Sequence, residues 1–517
     1  MGKTPILETR EDLFCPVCGT QGMRPLERKA ESGKTRYKCV GFQGERGCGF
    51  RTTTALYTPP QLLPKPKVSE IKKYKRFIIT SAVNDTPLAG EAHKTFERMA
   101  RELNACYLVI PGRYKNPNML NQGIQHNYTW PEEVLPYICN ADVELNKNLV
   151  IRSLFPIQYA AINPLSGMNH AGDIRSEIFG HPQIAMQMVA TAKNELPKML
   201  HTTGSISVKN YSSSKQGKKA EFHHQIGALF IEVEGDKFWP TQLRFDGEGV
   251  YLFNRFYTPR SSRKAKSVPA IVFGDTHVRW LSHKVKGQLD AVRDSLKPMT
   301  EVYHDLHDQH IGSHHNENNI NFNLRKSIQK EFSVRDELMM SVNFLKNKPN
   351  AVIIDSNHHR HLDQWFNRFK PKNDHVNLEL YYELGALMRD DLKSGGDGNL
   401  FRLFIEKYCK TPVQFVNGNE SYEIEGIDCS QHGDIGPNGS RGSAKSFSKT
   451  GHRTIIGHSH TPGIEKGCYQ VGTSTTDLEY AVGYSSWMNT HCIIYPNGKR
   501  GLFSLVKDKL SPMMRSL

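Results

Sequence analysis

Ala270-Ile271-Val272-Phe273-Gly274-Asp275-Thr276-His277 closes an apolar run on a glycine and then presents a carboxylate and an imidazole two residues apart. Such a run reads as a buried strand that delivers Asp275 and His277 at its C-terminal mouth, where open α/β sheets place their ligands. The same grammar returns at Ala351-Val352-Ile353-Ile354-Asp355-Ser356-Asn357-His358 and at Thr454-Ile455-Ile456-Gly457-His458-Ser459-His460. His304-Asp305-Leu306-His307-Asp308 and His432-Gly433-Asp434 fall between these strands. A pair of divalent cations needs hard oxygen and imidazole donors with one carboxylate able to bridge. Asp275, His277, Asp305, Asn357, His432, His458 and His460 supply that inventory. A lone Asp-x-His means little in a chain with 23 histidines, so the weight rests on the order of the pieces.

In that order the pieces resemble the calcineurin-like metallophosphoesterases. Their pattern runs Asp-x-His, Gly-Asp-x-x-Asp, Gly-Asn-His-Asp/Glu, a lone His and Gly-His-x-His. The match covers roughly residues 268 to 507. The resemblance implies an α/β fold whose core is a β-sandwich flanked by helices. It implies Asp275, His277 and His460 as ligands of one metal, Asn357, His432 and His458 as ligands of the other, and Asp305 as the bridge. It implies that His358 is the catalytic histidine, touching the phosphate and protonating the leaving oxygen, and that Asp308 orients it. Manganese is the metal implied, with iron or zinc as alternatives that also suit an N/O ligand set. The chain departs from the pattern at His304, which stands in the place of a Gly, at Ser356, which replaces the Gly before Asn357, and at His359, which replaces an acid. Asp308 is the alternative bridge. His452 rivals His432, which follows an apparent strand from Tyr422 to Cys429.

A second metal motif stands near the start, where Cys15-Pro16-Val17-Cys18 is followed by Cys39 and Cys48. Four thiolates suit a closed tetrahedral zinc site, and redox use of Cys15 and Cys18 is the alternative. The stretch through Phe50 and Arg51 resembles the zinc ribbons of bacterial topoisomerase tails, which implies contact with single-stranded DNA. Arg36, Tyr37 and Lys38 interleave cations with an aromatic ring, as single-strand binding requires. Arg260, Arg263 and Lys264 form a basic run just before the first metal motif, and the formal charge of +15 favours polyanionic partners.

Punctuation divides the chain into a ribbon over residues 1–56, a Pro/Lys-rich linker over 57–72, an α/β domain of unassigned role over 73–262 and the phosphoesterase region over 263–517. In the middle domain, Arg76 to Ala82 and Cys106 to Pro111 read as strands around a helix from Gly90 to Leu103. Further strands are expected at Asn148 to Leu154, Ala228 to Glu234 and Gly249 to Phe256. Ser205 to Lys219 reads as a Ser/Lys-rich surface loop or a phosphate contact. Helical periodicity marks Val334 to Leu345, Leu378 to Leu392 and Leu400 to Tyr408, and Pro496 to Lys499 marks a hairpin.

No run nears the roughly 20 apolar residues of a membrane span, and neither a secretory signal nor paired cysteines outside the first motif are expected. A cytoplasmic setting follows from that reading. The expected function is a two-metal-dependent deoxyribonuclease with DNA as partner, chemically near the SbcD-type repair nucleases. The arrangement of ribbon, middle domain and phosphoesterase also resembles early proteins of lytic tailed phages that degrade host DNA in the host cytoplasm. The family resemblance further implies homo-oligomers. A phosphomonoesterase acting on proteins or nucleotides, and a catalytically silent DNA-binding scaffold, are the other readings.

Overall fold

Val- and Ile-rich runs at Ala270–Val272, Thr300–Tyr303 and Ala351–Ile354 pair in parallel, and Gln414–Val416 continues the sheet beyond them. The hairpin of Asn489–Ile494 and Arg500–Leu505 completes the opposite flank, giving a six-stranded sheet. These relations come from a computed structural model. It describes residues 9–517 apart from 16–19, 27–29, 31–34, 42–45, 53–60, 62, 116–127, 172–173, 193–194, 314, 476–477 and 479–481.

Both faces of this sheet are covered, which is why its strands are apolar throughout rather than alternating with polar residues. Ile271, Phe273, Tyr303, Ile353 and Ile493 point to one side and pack with Leu289, Leu338 and Leu362 from the crossover helices. Val272, Val302, Val352, Ile354 and Ile494 point to the other, where they meet Ile455 and Tyr469 of a second sheet. The period of two along each strand thus splits one hydrophobic run between two cores. Helices His283–Leu296, Val334–Leu345 and Asn357–Arg368 lie on the connections between successive parallel strands.

The second sheet has ten strands. In order they are Glu423–Ile424, Ile427–Asp428, Thr454–Ile456, Cys468–Gln470, Gly463–Glu465, Met186–Val189, Lys198–Thr202, Ser176–Phe179, Leu149–Arg152 and Val143–Asn146. Five belong to the C-terminal half and five to the middle region, and antiparallel pairing of Met186 with Ile464 joins them. A separate four-stranded sheet holds the βαβ unit of Arg76–Val83, Gly90–Glu102 and Cys106–Gly112, extended by Gly227–Glu234 and Lys237–Arg244. Arg10–Phe14, Gln21–Leu26, Arg36–Cys39 and Arg51–Thr52 form a small antiparallel sheet at the N-terminal end.

Three local expectations are corrected. Tyr422 to Cys429 is not one strand, because Glu425 and Gly426 both take left-handed φ and turn it into a tight hairpin. Gly249 to Phe256 breaks at Phe253, φ 53°, into Val250–Leu252 and Arg255–Tyr257, with Ser262–Lys264 as a third strand. Ser205 to Lys219 is a surface loop only in its middle, from Val208 to Ser214: Ser205, Ile206 and Ser207 are buried, and Ser214 Oγ accepts from Gly217 N to start the helix Lys215–His223. Among the described residues no helix is long and apolar enough to cross a membrane.

Candidate metal centre

Ala270–Val272, Thr300–Tyr303 and Ala351–Ile354 of the first sheet, and Ile427–Asp428 and Thr454–Ile456 of the second, each lead into a loop that carries polar side chains into one shared space. The turns are locked together by backbone hydrogen bonds: His277 N donates to Asp305 O at 2.8 Å, Asp275 N to Gly472 O at 3.1 Å and Gly457 N to His432 O at 2.7 Å. His277, Asp305, His458 and His460 all have left-handed φ, at 41°, 39°, 73° and 58°. Non-glycine residues rarely take that conformation, and its cost of about 1–3 kcal/mol persists where the surroundings over-determine it.

The side chains form two groups that share one carboxylate. In the first, His460 Nε2 stands 3.2 Å from both Asp275 Oδ2 and His277 Nε2, and His277 Nε2 is 3.9 Å from Asp305 Oδ2. In the second, Asp305 Oδ2 lies 3.1 Å from His432 Nε2, and Asn357 Oδ1 is 3.1 Å from both His432 Nε2 and His458 Nδ1. Asp305 therefore lies between the groups, whereas Asp308 sits behind His277. His452 lies elsewhere, in a cleft with Arg453.

These residues fit divalent cations. The carboxylates of Asp275 and Asp305 are fully buried and accept no well-formed hydrogen bond among the described residues; imidazole nitrogens are what they face. Two ligand atoms bonded to one cation at about 2.1 Å stand roughly 3.0–3.4 Å apart in octahedral or tetrahedral geometry, close to the spacings here. The electrostatics of the pocket point the same way. Burial opposes charge on His432, yet the close carboxylate of Asp305, 3.1 Å away, raises that imidazole to about 9. Burial would also raise Asp305, but His432 and His358 hold it well below the ordinary carboxylate range. The pocket draws positive charge, for which protons and metal compete.

Around this set stand Asp308 and His358, both expected from the sequence, with contacts that were harder to foresee. Asp308 Oδ1 accepts from His277 Nδ1 at 2.9 Å and its Oδ2 from Trp280 Nε1 at 3.1 Å, which fixes the tautomer that leaves His277 Nε2 bare. His358 is half-buried and donates from Nδ1 to the backbone carbonyl of Asp308 at 3.0 Å, with Asp308 Oδ1 3.5 Å away. Ser356 works in place of Gly because its φ of −144° is extended; its Oγ caps the helix that carries Asn357 and His358. His359 in place of an acid accepts from Leu306 N at 3.1 Å and stacks on Phe401. His304 is buried beside the backbone of Gly457, filling the room its missing side chain leaves. Thr473 and Ser474 bond the carbonyl of Asp275, and no local motif announces them.

The cysteines also converge. Cys15, Cys39 and Cys48 lie within reach of one ion, with Cys15 and Cys48 Sγ 3.7 Å apart. That is far beyond a disulfide bond and close to the roughly 3.8 Å between thiolates that share a tetrahedral zinc at about 2.3 Å. Cys18 lies outside the described residues. Tyr37 packs against the Leu13, Cys15, Met23 and Cys39 cluster, leaving Arg36 exposed and Lys38 partly covered. Arg260 and Lys264 are exposed and Arg263 lies over Phe256, but this run is not brought to the metal mouth. Its sheet packs through Tyr251 on Tyr495, at the far turn of the Asn489–Ile494 strand.

Fold and site together define a mixed α/β protein with a buried His/Asp cluster and a cysteine group, each able to hold metal ions. Over 472 residues, 85% of this chain and 83% of the relative, it is 32% identical to Protein A1 of Escherichia phage T5, and it belongs to that phage protein family. No protein-family model and no solved structure matches it.

Proposed function

We propose that the protein is a two-metal-dependent deoxyribonuclease of calcineurin-like metallophosphoesterase type, acting as an early phage protein that degrades host DNA. The observation that carries this reading is the sharing of buried Asp305 between an Asp275/His277/His460 group and an Asn357/His432/His458 group, with His358 at the edge. Such a pair of cations, when bound, activates water and neutralises charge on phosphoryl oxygens. The side chains do the rest. Asp308 holds His277 by Nδ1. The Asp308 carbonyl holds His358 by the same ring atom, so a protonated His358 offers Nε2–H to the departing oxygen. The net charge of +15 and the exposed Arg36, Arg260 and Lys264 suit a polyanionic substrate.

The test is manganese-dependent digestion of circular and linear duplex DNA by the wild type, His358→Ala and Asp305→Asn. Cleavage of both forms by the wild type only supports an endonuclease working through these residues, and cleavage of linear DNA alone an exonuclease. Hydrolysis of a phosphopeptide or nucleoside monophosphate without DNA cleavage would transfer the reading to a phosphomonoesterase. DNA binding without hydrolysis under several metals would transfer it to a scaffold.

A further inference from the structure

At the opposite end of the Thr454–Ile456 strand from His458, about 16 Å along the chain at strand rise, a cleft of about 170 Å³ opens between the middle region and the C-terminal half. Arg244, Arg453, Lys466 and Arg500 line it, with His223 and Tyr469. Lys499 adds a further charge close by: burial presses on its ammonium most, Arg244, Arg453 and Arg500 repel it, and the carboxylate of Asp246 offsets part of that. Among the described residues, Arg244, Arg453, Lys499 and Arg500 make no ion pair with any carboxylate. Of the acids around it, Asp246 acts on Lys499 through its charge while accepting from Asn497 and from the amides of Glu248 and Gly249, and Glu465 pairs with Lys466 at 3.4 Å.

Arg500 is the anchor. It is 1% exposed, its guanidinium lies 4.0 Å above the Tyr469 ring and it donates to Thr454 O at 2.7 Å. Among the described residues its Nε, the Nε of Arg244 and the Tyr469 hydroxyl are buried without a hydrogen-bond partner, while Arg244 donates through another nitrogen to Gln225 Oε1. Burying an uncompensated cation is costly, and crowding it with further cations costs more. Burial and then the Arg244 charge press on Arg500, partly offset by Tyr469. A protein that folds around such a cluster gains when an anion arrives, and planar guanidinium forks match phosphate oxygens. The exposed ring of Phe222 at the rim offers a stacking surface.

We infer that this cleft is a phosphate-binding site, distinct from the metal centre, that takes the phosphate of a free nucleotide or of a nucleic-acid backbone. This does not rest on the nuclease reading. The test is calorimetric titration of the full, manganese-loaded chain with inorganic phosphate, a deoxynucleoside 5′-monophosphate and a short single-stranded oligonucleotide. Wild type is compared with Arg244→Gln, Arg453→Gln and, as metal-centre control, Asp275→Asn. Arg453 is exposed, so its variant keeps the test open should Arg244→Gln unfold. Loss of one charge-assisted contact should weaken phosphate about tenfold in the cleft variants, with this component intact in Asp275→Asn. Monophosphate binding at least as tight as the oligonucleotide assigns the cleft to free nucleotides. Tighter oligonucleotide binding with a steep salt dependence assigns it to a backbone. Affinity unchanged in both cleft variants, or lost only in Asp275→Asn, overturns the site.

Discussion

The Nδ1–H of His277 donates to Asp308 Oδ1 at 2.9 Å while the carbonyl of the same aspartate holds His358 at 3.0 Å, so one residue positions two imidazoles with different duties. Its side chain sets the tautomer of a candidate ligand, and its backbone sets the orientation of the candidate acid. The two roles separate by substitution, because only the first depends on the carboxylate.

Asp308→Asn should therefore weaken metal binding while leaving His358 in place. His277 and Trp280 each donate to a different oxygen of this carboxylate, and an amide turns one of those oxygens into an N–H donor, so one of the two loses its acceptor. Loss of such an outer partner typically costs 10–100-fold in metal affinity. Manganese content after dialysis against a graded metal buffer is the readout; a binding curve matching wild type would refute the role.

Gly457 has no room for a side chain. A Cβ there would stand 2.3 Å from Asp275 Oδ1 and 3.1 Å from His304. Gly457→Ala should cost roughly 1–3 kcal/mol of stability and deplete the metal by displacing Asp275. Gly287, in the helix His283–Leu296 with open space around it, is the control. Gly287→Ala should be neutral or stabilise by up to about 1 kcal/mol. Thermal midpoints of the two variants in the same buffer decide, and equal shifts would sink the explanation.

Buried imidazoles give the fold an acid sensitivity. Burial alone presses His201 from 6.5 to about 3, and among the described residues neither ring nitrogen has a hydrogen-bond partner. The folded group stays neutral while the unfolded one takes a proton below its ordinary value. Stability is then fully present above pH 6.5 and falls as pH drops toward about 3, by up to about 1.4 kcal/mol per pH unit. His201→Leu should flatten that slope between pH 6 and 4 with little effect at pH 7.5. Denaturant midpoints measured across the range test it, and parallel slopes for variant and wild type would count against it.

The cysteine group predicts its own stoichiometry. Cys39→Ser should release one zinc per chain, read by elemental analysis, and lower the protection of Arg10–Phe14 and Gln21–Leu26 from hydrogen exchange, since Cys39 and Cys15 pack with Leu13 and Met23. Unchanged zinc content would discard the site.

The strand-and-turn strings were legible because burial on both faces writes itself as uninterrupted Val and Ile, and a turn against a neighbouring chain writes itself as glycine. Helices Val334–Leu345 and Leu400–Tyr408 stand where their 3.6-residue period placed them. The Tyr422–Cys429 hairpin escaped notice because its left-handed positions begin with Glu425, a residue that does not advertise a turn. Asp308's bond to His277, the stacking of His359 on Phe401 and the cationic cleft escaped for another reason: each depends on which distant loops meet, and no local pattern carries that. The pairing of Met186 with Ile464 is of the same kind.

That last pairing sets a timetable for synthesis. Met186–Val189 leaves the ribosome long before Gly463–Glu465 exists, so the nascent middle region waits with an open strand edge until the last part of the chain arrives. Open edges recruit other strands. A release of the chain before Gly463 would leave that edge permanently bare, and such fragments should gather into insoluble material instead of persisting as a smaller working protein.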